Sequence, residues 1–507
     1  MSHRRVGIFD STLTLGEMVP GVSFGLEGRV EVATHLDTAG VDVIEAGFPS
    51  YSDSEKKITK EVVRAVRRVS RSGFSPELCA LARALKEDVE AAAETEVDSV
   101  NIFIPVSEKL LRAIGISEEE ALRRIEDSVS FAKSSGLIVE FTAEDFGRAS
   151  RDFLWRACEV ALQSGADRIN LSDPVGALLP DGVREVVREA KGRFRVPLSV
   201  TFFNDFGMAT ANSVTAALEG ADQVHVAVNG LGPKAGIAPL EQVVVALRKL
   251  AGIDTNIKMD LLASLSEVVE RVSGIPLHEI SPVVGNLTFT YEAGVHVRAI
   301  SMEPSSYELI SPEEVGRRRK FWVGGLSGRT AVQEVLREMG YAASEEQLDS
   351  ILERVKGLSE EGVRITEALM RSVVEEVLGI ESKWFRVRDW VVVTGSGVTP
   401  TATVRASVGG REVVSSSSGV GPVDALTKAL ISIQGVPRIT LRKFRLRAVS
   451  TGSEAIGELT IGVLGPSGEV QATGTSRDIL EASVKALEEA LNRIFEKGAI
   501  GEVRRSH

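Results

Sequence analysis

Between residue 5 and about residue 275 the chain repeats one pattern: an apolar run that closes on polar residues, then a longer stretch whose apolar positions recur at helical spacing. The runs are RVGIFD, VDVIEAG, ELCALAR, SVNIFIP, LIVEFTAED, RINLSDP, PLSVTFFND and QVHVAVNG. They predict eight strands of successive βα units, an α/β fold closed as a (β/α)8 TIM barrel. Asp10, Glu45, Arg83, Pro105, Glu144, Asp173, Asp205 and Asn229 fall at or near the strand ends, the face on which such a barrel carries its chemistry. The intervening segments are amphipathic. In LEGRVEVATHLDTAG, for example, Val30, Ala33, His35 and Leu36 lie near one stripe and Gly40 fits a C-cap.

Past residue 276 the period breaks into irregular segments, followed by the helical stretches SEEQLDSILERVKGLSE and TEALMRSVVEEVLG. From about residue 386 short Val- and Thr-rich strands with Gly turns take over, interleaved with the helices GPVDALTKALISI and SRDILEASVKALEEALNRIF. The order strands, helix, strands, helix predicts a duplicated βββα unit of α+β type. SSSSG, between a strand and a helix, is expected to be a loop lining a cleft between the two halves. The expected domains are therefore a catalytic-type barrel over 1–275, connecting or lid subdomains over 276–385, and a C-terminal regulatory domain over 386–507.

Composition narrows the class. The formal net charge of −12 argues against a nucleic-acid partner, which needs a clustered basic face. No window approaches the roughly 18 unbroken apolar residues of a membrane span, so no membrane partner is expected. The start MSHRRVGIFDSTL lacks the apolar core of a signal peptide, and the expected location is the cytoplasm. Cys79 and Cys158, both in apolar contexts, supply neither a disulfide framework nor a thiolate metal cluster.

Several separate stretches carry a resemblance to one family: DSTLTLGEMVPGV, GVDVIEAGFP, TAED, NDFGMATAN, VNGLGPKAG, EAGVHV, VGGLSGR, TGSGVTPTATV, GPVDAL and TSRDILEAS. Together they resemble the 2-isopropylmalate synthase family, which includes citramalate and homocitrate synthases, over essentially the whole chain. The resemblance implies a divalent metal at the barrel mouth that holds a 2-oxo acid, acetyl-CoA deprotonated at its methyl, attack of the enolate, and thioester hydrolysis. The metal acts there as a Lewis acid.

Against that pattern the chain departs at the metal. Where relatives are expected to carry Leu-Arg-Asp-Gly-Glu it has Leu13-Thr14-Leu15-Gly16-Glu17, losing the Arg that supports the carbonyl and the Asp that binds the metal. His-x-His-Asn-Asp becomes Thr201-Phe202-Phe203-Asn204-Asp205, and the Asn of Gly-Glu-Arg-x-Gly-Asn becomes Ile237. Leu15, Thr201, Phe203 and Ile237 thus take four metal-contacting positions, and no metal or other cofactor is expected. Asn101, Leu110 and Tyr291 stand where histidines are expected, and Gly325-Leu326 where Lys-His is.

The resemblance also implies catalytic roles for Glu144, His296 and Tyr307. Read by itself, His296 is more often a structural histidine, and Glu144 with Asp145 and Arg148 reads as a salt-bridged strand end; position in the motif brings the catalytic and structural readings level.

The tail resembles the domain through which such synthases sense an amino-acid effector, leucine or isoleucine. Its glycines at TGSG and GVGP let a backbone approach a small ligand, and the helix starts GPVDA and SRDIL are placed to receive its carboxylate. A dimerisation module without a ligand is the alternative.

Three functions remain open. One is a catalytically silent paralogue in branched-chain amino-acid, chiefly leucine, biosynthesis that pairs with itself or with an active synthase and regulates it. Another is an active 2-isopropylmalate or citramalate synthase with a rebuilt site, taking acetyl-CoA and a 2-oxo acid. The third is a metal-free enzyme using Glu144, His296 and Tyr307.

Overall fold

A computed structural model describes residues 4–69, 75–363, 365, 367–380, 384–448, 457–466 and 468–503. It divides into two compact units: 1–290 with 308–319, and 291–307 with 320–507.

In the first unit, strands β1 (Gly7–Asp10), β2 (Val43–Gly47), β3 (Glu77–Arg83), β4 (Ser99–Pro105), β5 (Ile138–Glu144), β6 (Arg168–Asp173), β7 (Leu198–Phe202) and β8 (Gln223–Val226) form a closed barrel in sequence order. Closure is made by β8 lying parallel to β1, with Gly7 opposite Gln223 and Asp10 opposite Val226. Each of the eight apolar runs is thus a strand, as its pattern predicts. Helix α1 (Gly25–Ala39) buries Val32, Ala33, Leu36 and Ala39, and ends on Gly40 at φ +91°. Val30 and His35 flank that stripe, half-buried. A Cβ on Gly40 would lie 2.5 Å from the Asn256 carbonyl oxygen, so this C-cap requires glycine on two counts.

Because strand side chains alternate, the barrel interior is filled by every second residue of each strand. That interior is unusually polar. Near its base, Arg168 pairs with Glu77 at 2.6 Å and with Glu140 at 2.5 Å. Ser199 donates to Glu140 and Gln223, at 2.9 and 3.0 Å.

In the second unit, four helices, Gly294–Met302, Arg329–Met339, Glu345–Glu360 and Glu367–Leu378, share a core that includes Val297, Val332, Ile351 and Val374. Beyond them come two antiparallel three-stranded sheets, Phe385–Gly395, Val398–Val408 and Arg411–Ser418, then Thr440–Ala448, Gly457–Gly465 and Gly468–Ser476. Helix Pro422–Ile431 follows the first sheet and helix Ile479–Val503 the second. This is the duplicated βββα arrangement.

One expectation fails here. Ser415–Ser418 are not a cleft loop but the end of an edge strand, paired with Thr401–Val404. Their hydroxyls are engaged on both faces: Ser416 with Thr403 at 2.9 Å, and Ser415 with Ser432 at 3.0 Å. A small polar run with a paired neighbour satisfies its backbone in a ladder as readily as any other sequence.

No helix among the described residues is long and apolar enough to cross a membrane.

Candidate active site at the barrel mouth

The short turn after β1, the end of β7 and the loop after β8 bring Leu15, Thr201, Phe203 and Ile237 to the same end of the barrel. Phe203, Ala227 and Ile237 form one buried apolar cluster with Leu15 packed against it. Phe203 and Ile237 also face one another in an isolated antiparallel bridge. The loop is tied down from both sides: Ile237 N donates to Gly230 O at 3.2 Å, Asn204 N to Gly236 O at 2.9 Å, and Ala238 N to Phe202 O at 3.1 Å. Thr201 is buried, and its hydroxyl exchanges hydrogen bonds of 2.9 and 3.1 Å with the Asn170 amide.

Those bonds belong to a belt around the barrel. The Asn170 amide donates to Thr142 Oγ1 at 2.9 Å, Thr142 donates to Asn101 Oδ1 at 2.6 Å, and Asn101 donates to Glu45 Oε1 at 3.1 Å. Thr14, at the expected Arg position, donates to the other Glu45 oxygen and to Ser11 O. The belt satisfies its own members, and breaking one bond would strand a buried partner at a cost of about 1–3 kcal/mol. Burial raises the Glu45 carboxyl above its ordinary range despite the bonds from Thr14 and Asn101.

Above the belt lies a cavity of about 340 Å³. Leu15, Met18, Leu81, Phe103 and Phe203 supply its apolar wall, and Glu144 and Ser172 its polar edge. Burial, reinforced by the Asp145 charge, pushes the Glu144 carboxyl up to about 7. Asp145 itself turns away, with its backbone at φ +67° and its carboxylate held by Arg148 at 2.7 Å and by Ser107. The salt bridge considered for this strand end therefore belongs to Asp145, while Glu144 stays with the cavity.

Lys234 closes the rim. Its ammonium donates to both Asp205 oxygens at 2.7 and 2.9 Å and to Pro174 O at 2.6 Å, and lies 5.3 Å from the Phe203 ring centre. Beneath the cavity His225 stacks on Phe9, with ring centres 3.8 Å apart. His225 Nε2 lies 2.7 Å from Glu140 without hydrogen-bond geometry. Burial would raise the Glu140 carboxyl, but His225 and Arg168 outweigh it and hold it at about 2.

His296 and Tyr307 lie in the second unit, Glu144 in the first. The two rings are neighbours, with centres 4.6 Å apart and planes inclined at 57°. His296 is on helix Gly294–Met302, and Tyr307, 54% exposed, follows the turn Pro304–Ser306.

At the start of each tail helix a carboxylate of the chain already accepts a backbone hydrogen bond, from just before the first helix and from within the second. Asp424 accepts from Val420 N at 2.9 Å and Asp478 from Leu480 N at 2.7 Å.

Sequence reading did not single out Thr142, Asn170, Ser172, Phe103 or Lys234. The signal for the first three was present, since Glu140, Thr142 and Glu144, and Arg168, Asn170 and Ser172, recur at the two-residue period of one strand face.

A closed parallel barrel with a polar belt inside it and a cavity at its mouth, in a chain that ends in a duplicated βββα module, defines the class of protein: a TIM barrel followed by an α+β module. Family models match in the same order: HMGL-like over residues 5–269, homocitrate synthase post-HMGL domain-like over 283–363, and LeuA allosteric (dimerisation) domain over 364–495. The chain is 42% identical over 499 residues to a Methanopyrus kandleri protein named as a 2-isopropylmalate synthase, covering 97% of this chain and 98% of that one. It is 40% identical to a second M. kandleri protein, named as an (R)-citramalate synthase, CimA, over 97% of this chain and 96% of the other. It is 37% identical to a 2-isopropylmalate synthase of Methanocaldococcus jannaschii, over 97% and 95%. The chain belongs to the 2-isopropylmalate/citramalate synthase family.

Proposed function

We propose that this family member does not condense acetyl-CoA with a 2-oxo acid on its own, and that it serves branched-chain amino-acid biosynthesis, chiefly of leucine, as a cytoplasmic regulatory paralogue of an active synthase. The observation that carries this reading is the packing of Leu15, Phe203 and Ile237, with Ala227, into one hydrocarbon cluster at positions where the family pattern calls for metal ligands. Hydrocarbon offers no lone pair to a divalent ion, which needs about four to six oxygen or nitrogen donors to leave water. Thr201 offers one hydroxyl oxygen, already bonded to Asn170. The donor set does not fit the ion, and no described group of three or more His, Cys, Asp or Glu side chains replaces it. Losing a Lewis acid worth several kcal/mol costs a factor of ten for roughly every 1.36 kcal/mol, before the missing Arg is counted.

The test is elemental analysis of the dialysed protein together with thiol release from acetyl-CoA in the presence of several 2-oxo acids. We expect no stoichiometric zinc, manganese or magnesium and no turnover. One equivalent of metal that is lost on mutating Glu144 or Asp205, with turnover near ~1 s⁻¹, would establish the second reading, an active 2-isopropylmalate or citramalate synthase with a rebuilt site. That reading draws support from Glu144, which still faces the cavity with a proton affinity near neutrality. The regulatory role is tested by co-expression with a metal-bearing synthase. Co-purification and altered leucine inhibition of the partner are expected, and a chain that leaves the partner's inhibition unchanged does not regulate it.

A further inference from the structure

We propose that the barrel-mouth cavity binds a small aliphatic primary amine as its ammonium ion, with the nitrogen at Glu144 and Ser172 and the hydrocarbon against Leu15, Phe103 and Phe203. The polar groups around the cavity divide sharply by whether they are engaged. Asn101, Thr142, Asn170 and Thr201 bond one another, and Thr14 and Asn101 hold Glu45. Glu144 and Ser172, by contrast, have no side-chain hydrogen bond or ion pair with any described residue. They are direct register partners on β5 and β6, so their side chains stand side by side on the inner face. Ser172 is only 6% exposed. A buried hydroxyl oxygen and a carboxyl with no partner are acceptors waiting for a donor. Ser11, on the opposite side of the sequence-ordered barrel, is the remaining lining hydroxyl without a side-chain bond among the described residues.

The sign of the charge follows from the cations. The lining residues include Lys234 and His225; Lys234 is hydrogen-bonded to Asp205, and His225 Nε2 faces the Glu140 carboxylate at 2.7 Å, beneath the cavity. An anionic ligand such as a 2-oxo acid would meet a carboxyl and no free positive group. An ammonium would meet a carboxyl whose charge it stabilises, which is the counter-charge Glu144 now lacks. Apart from the self-bonded belt and Glu45, which also line it, the rest of the wall is aliphatic and aromatic, and a cavity of about 340 Å³ is at the small-ligand end of the scale. A short branched alkyl chain matches its chemistry and fits within its volume.

The test is calorimetric titration of the full chain with isopentylamine, with 2-oxoisovalerate, and with valine as the zwitterion. We expect the amine to bind at least about tenfold more tightly than the oxo acid, and Glu144→Gln to weaken the amine by about tenfold or more. Valine binding that falls equally in Glu144→Gln also supports ammonium recognition. Ser172→Ala is the second variant: it weakens the amine by a smaller factor and carries the test should Glu144→Gln not fold, as checked by melting. Tighter binding of the oxo acid, no amine binding at millimolar concentration, or amine affinity indifferent to both substitutions overturns the proposal. The readout is binding alone. Turnover on a 2-oxo acid with the amine still the tighter ligand would sink the proposed function and leave this site standing, and absent amine binding without turnover would do the reverse.

Discussion

Glu144 is kept at an energetic cost. In the unfolded chain its carboxyl ionises near the ordinary 4.5, whereas burial in the barrel lifts it to about 7. Below the lower value both states carry the proton and the residue is neutral to stability. As pH rises between the two, the unfolded state sheds its proton first, and stability falls until the folded group ionises as well. The deficit above pH 7 is on the order of 3 kcal/mol. Glu144→Gln mimics the protonated acid at every pH. It is therefore expected to raise the melting temperature by a few degrees at pH 8 and to leave it unchanged at pH 4. Parallel melting profiles of the two proteins across that range would show that the folded carboxyl ionises normally. Asp10 and Glu241, both pushed to about 7 by burial, steepen the same decline in the parent protein. A residue that destabilises the fold at neutral pH and faces a cavity has the profile of a binding group rather than a structural one.

At the scale of elements, the loop between β8 and the next helix decides what fills the barrel mouth. Gly236 has φ +79°, and a Cβ there would run into the Gly230 carbonyl oxygen. Gly236→Ala should break the bonds that seat Ile237 on Phe203 and destabilise the first unit by roughly 2–4 kcal/mol, measured by denaturant unfolding. A loss below about 0.5 kcal/mol would mean the loop adapts freely and the cluster is not held in place by it. The same loop shows where sequence reading stops. The eight strands were legible because each apolar run is bounded by polar residues, and the place of Leu15, Thr201, Phe203 and Ile237 at one end of the barrel because each lies at or beyond the end of a strand. The belt of Asn101, Thr142, Asn170 and Thr201 was not, because its members sit on four different strands and only barrel closure and register make them neighbours. Ser415–Ser418 was misjudged for a related reason: four serines carry no strand signal of their own, and the pairing that makes them a strand comes from Thr401–Val404.

At the scale of the whole molecule, the first sheet of the C-terminal domain has two unlike faces. Val404 and Ala406 are buried in the core that includes helix residues Ala425 and Leu426, whereas Val391, Val393 and Val414 on the other face are 63%, 52% and 62% exposed. Opposite Val391 and Val393 stand Thr403 and Thr401, also exposed, so the open face mixes aliphatic and hydroxyl groups and, among the described residues, has no helix over it. Aliphatic side chains in a row on an exposed sheet face are a feature that folded chains cover with another protein surface. The match of this region to a LeuA allosteric (dimerisation) domain supports a second domain of the same kind as the cover. We expect the protein to be dimeric by light scattering at micromolar concentration. Val391→Asp with Val393→Asp places two charges on that face while leaving Val404 and Ala406 against their helix, so the variant should melt cooperatively and have the mass of a monomer. The same variant should fail to co-purify with an active synthase, because a mixed dimer would use the same face. A monomeric parent protein, or a doubly substituted variant that stays dimeric, would move the dimer contact to another surface and remove the structural basis for regulation through this domain.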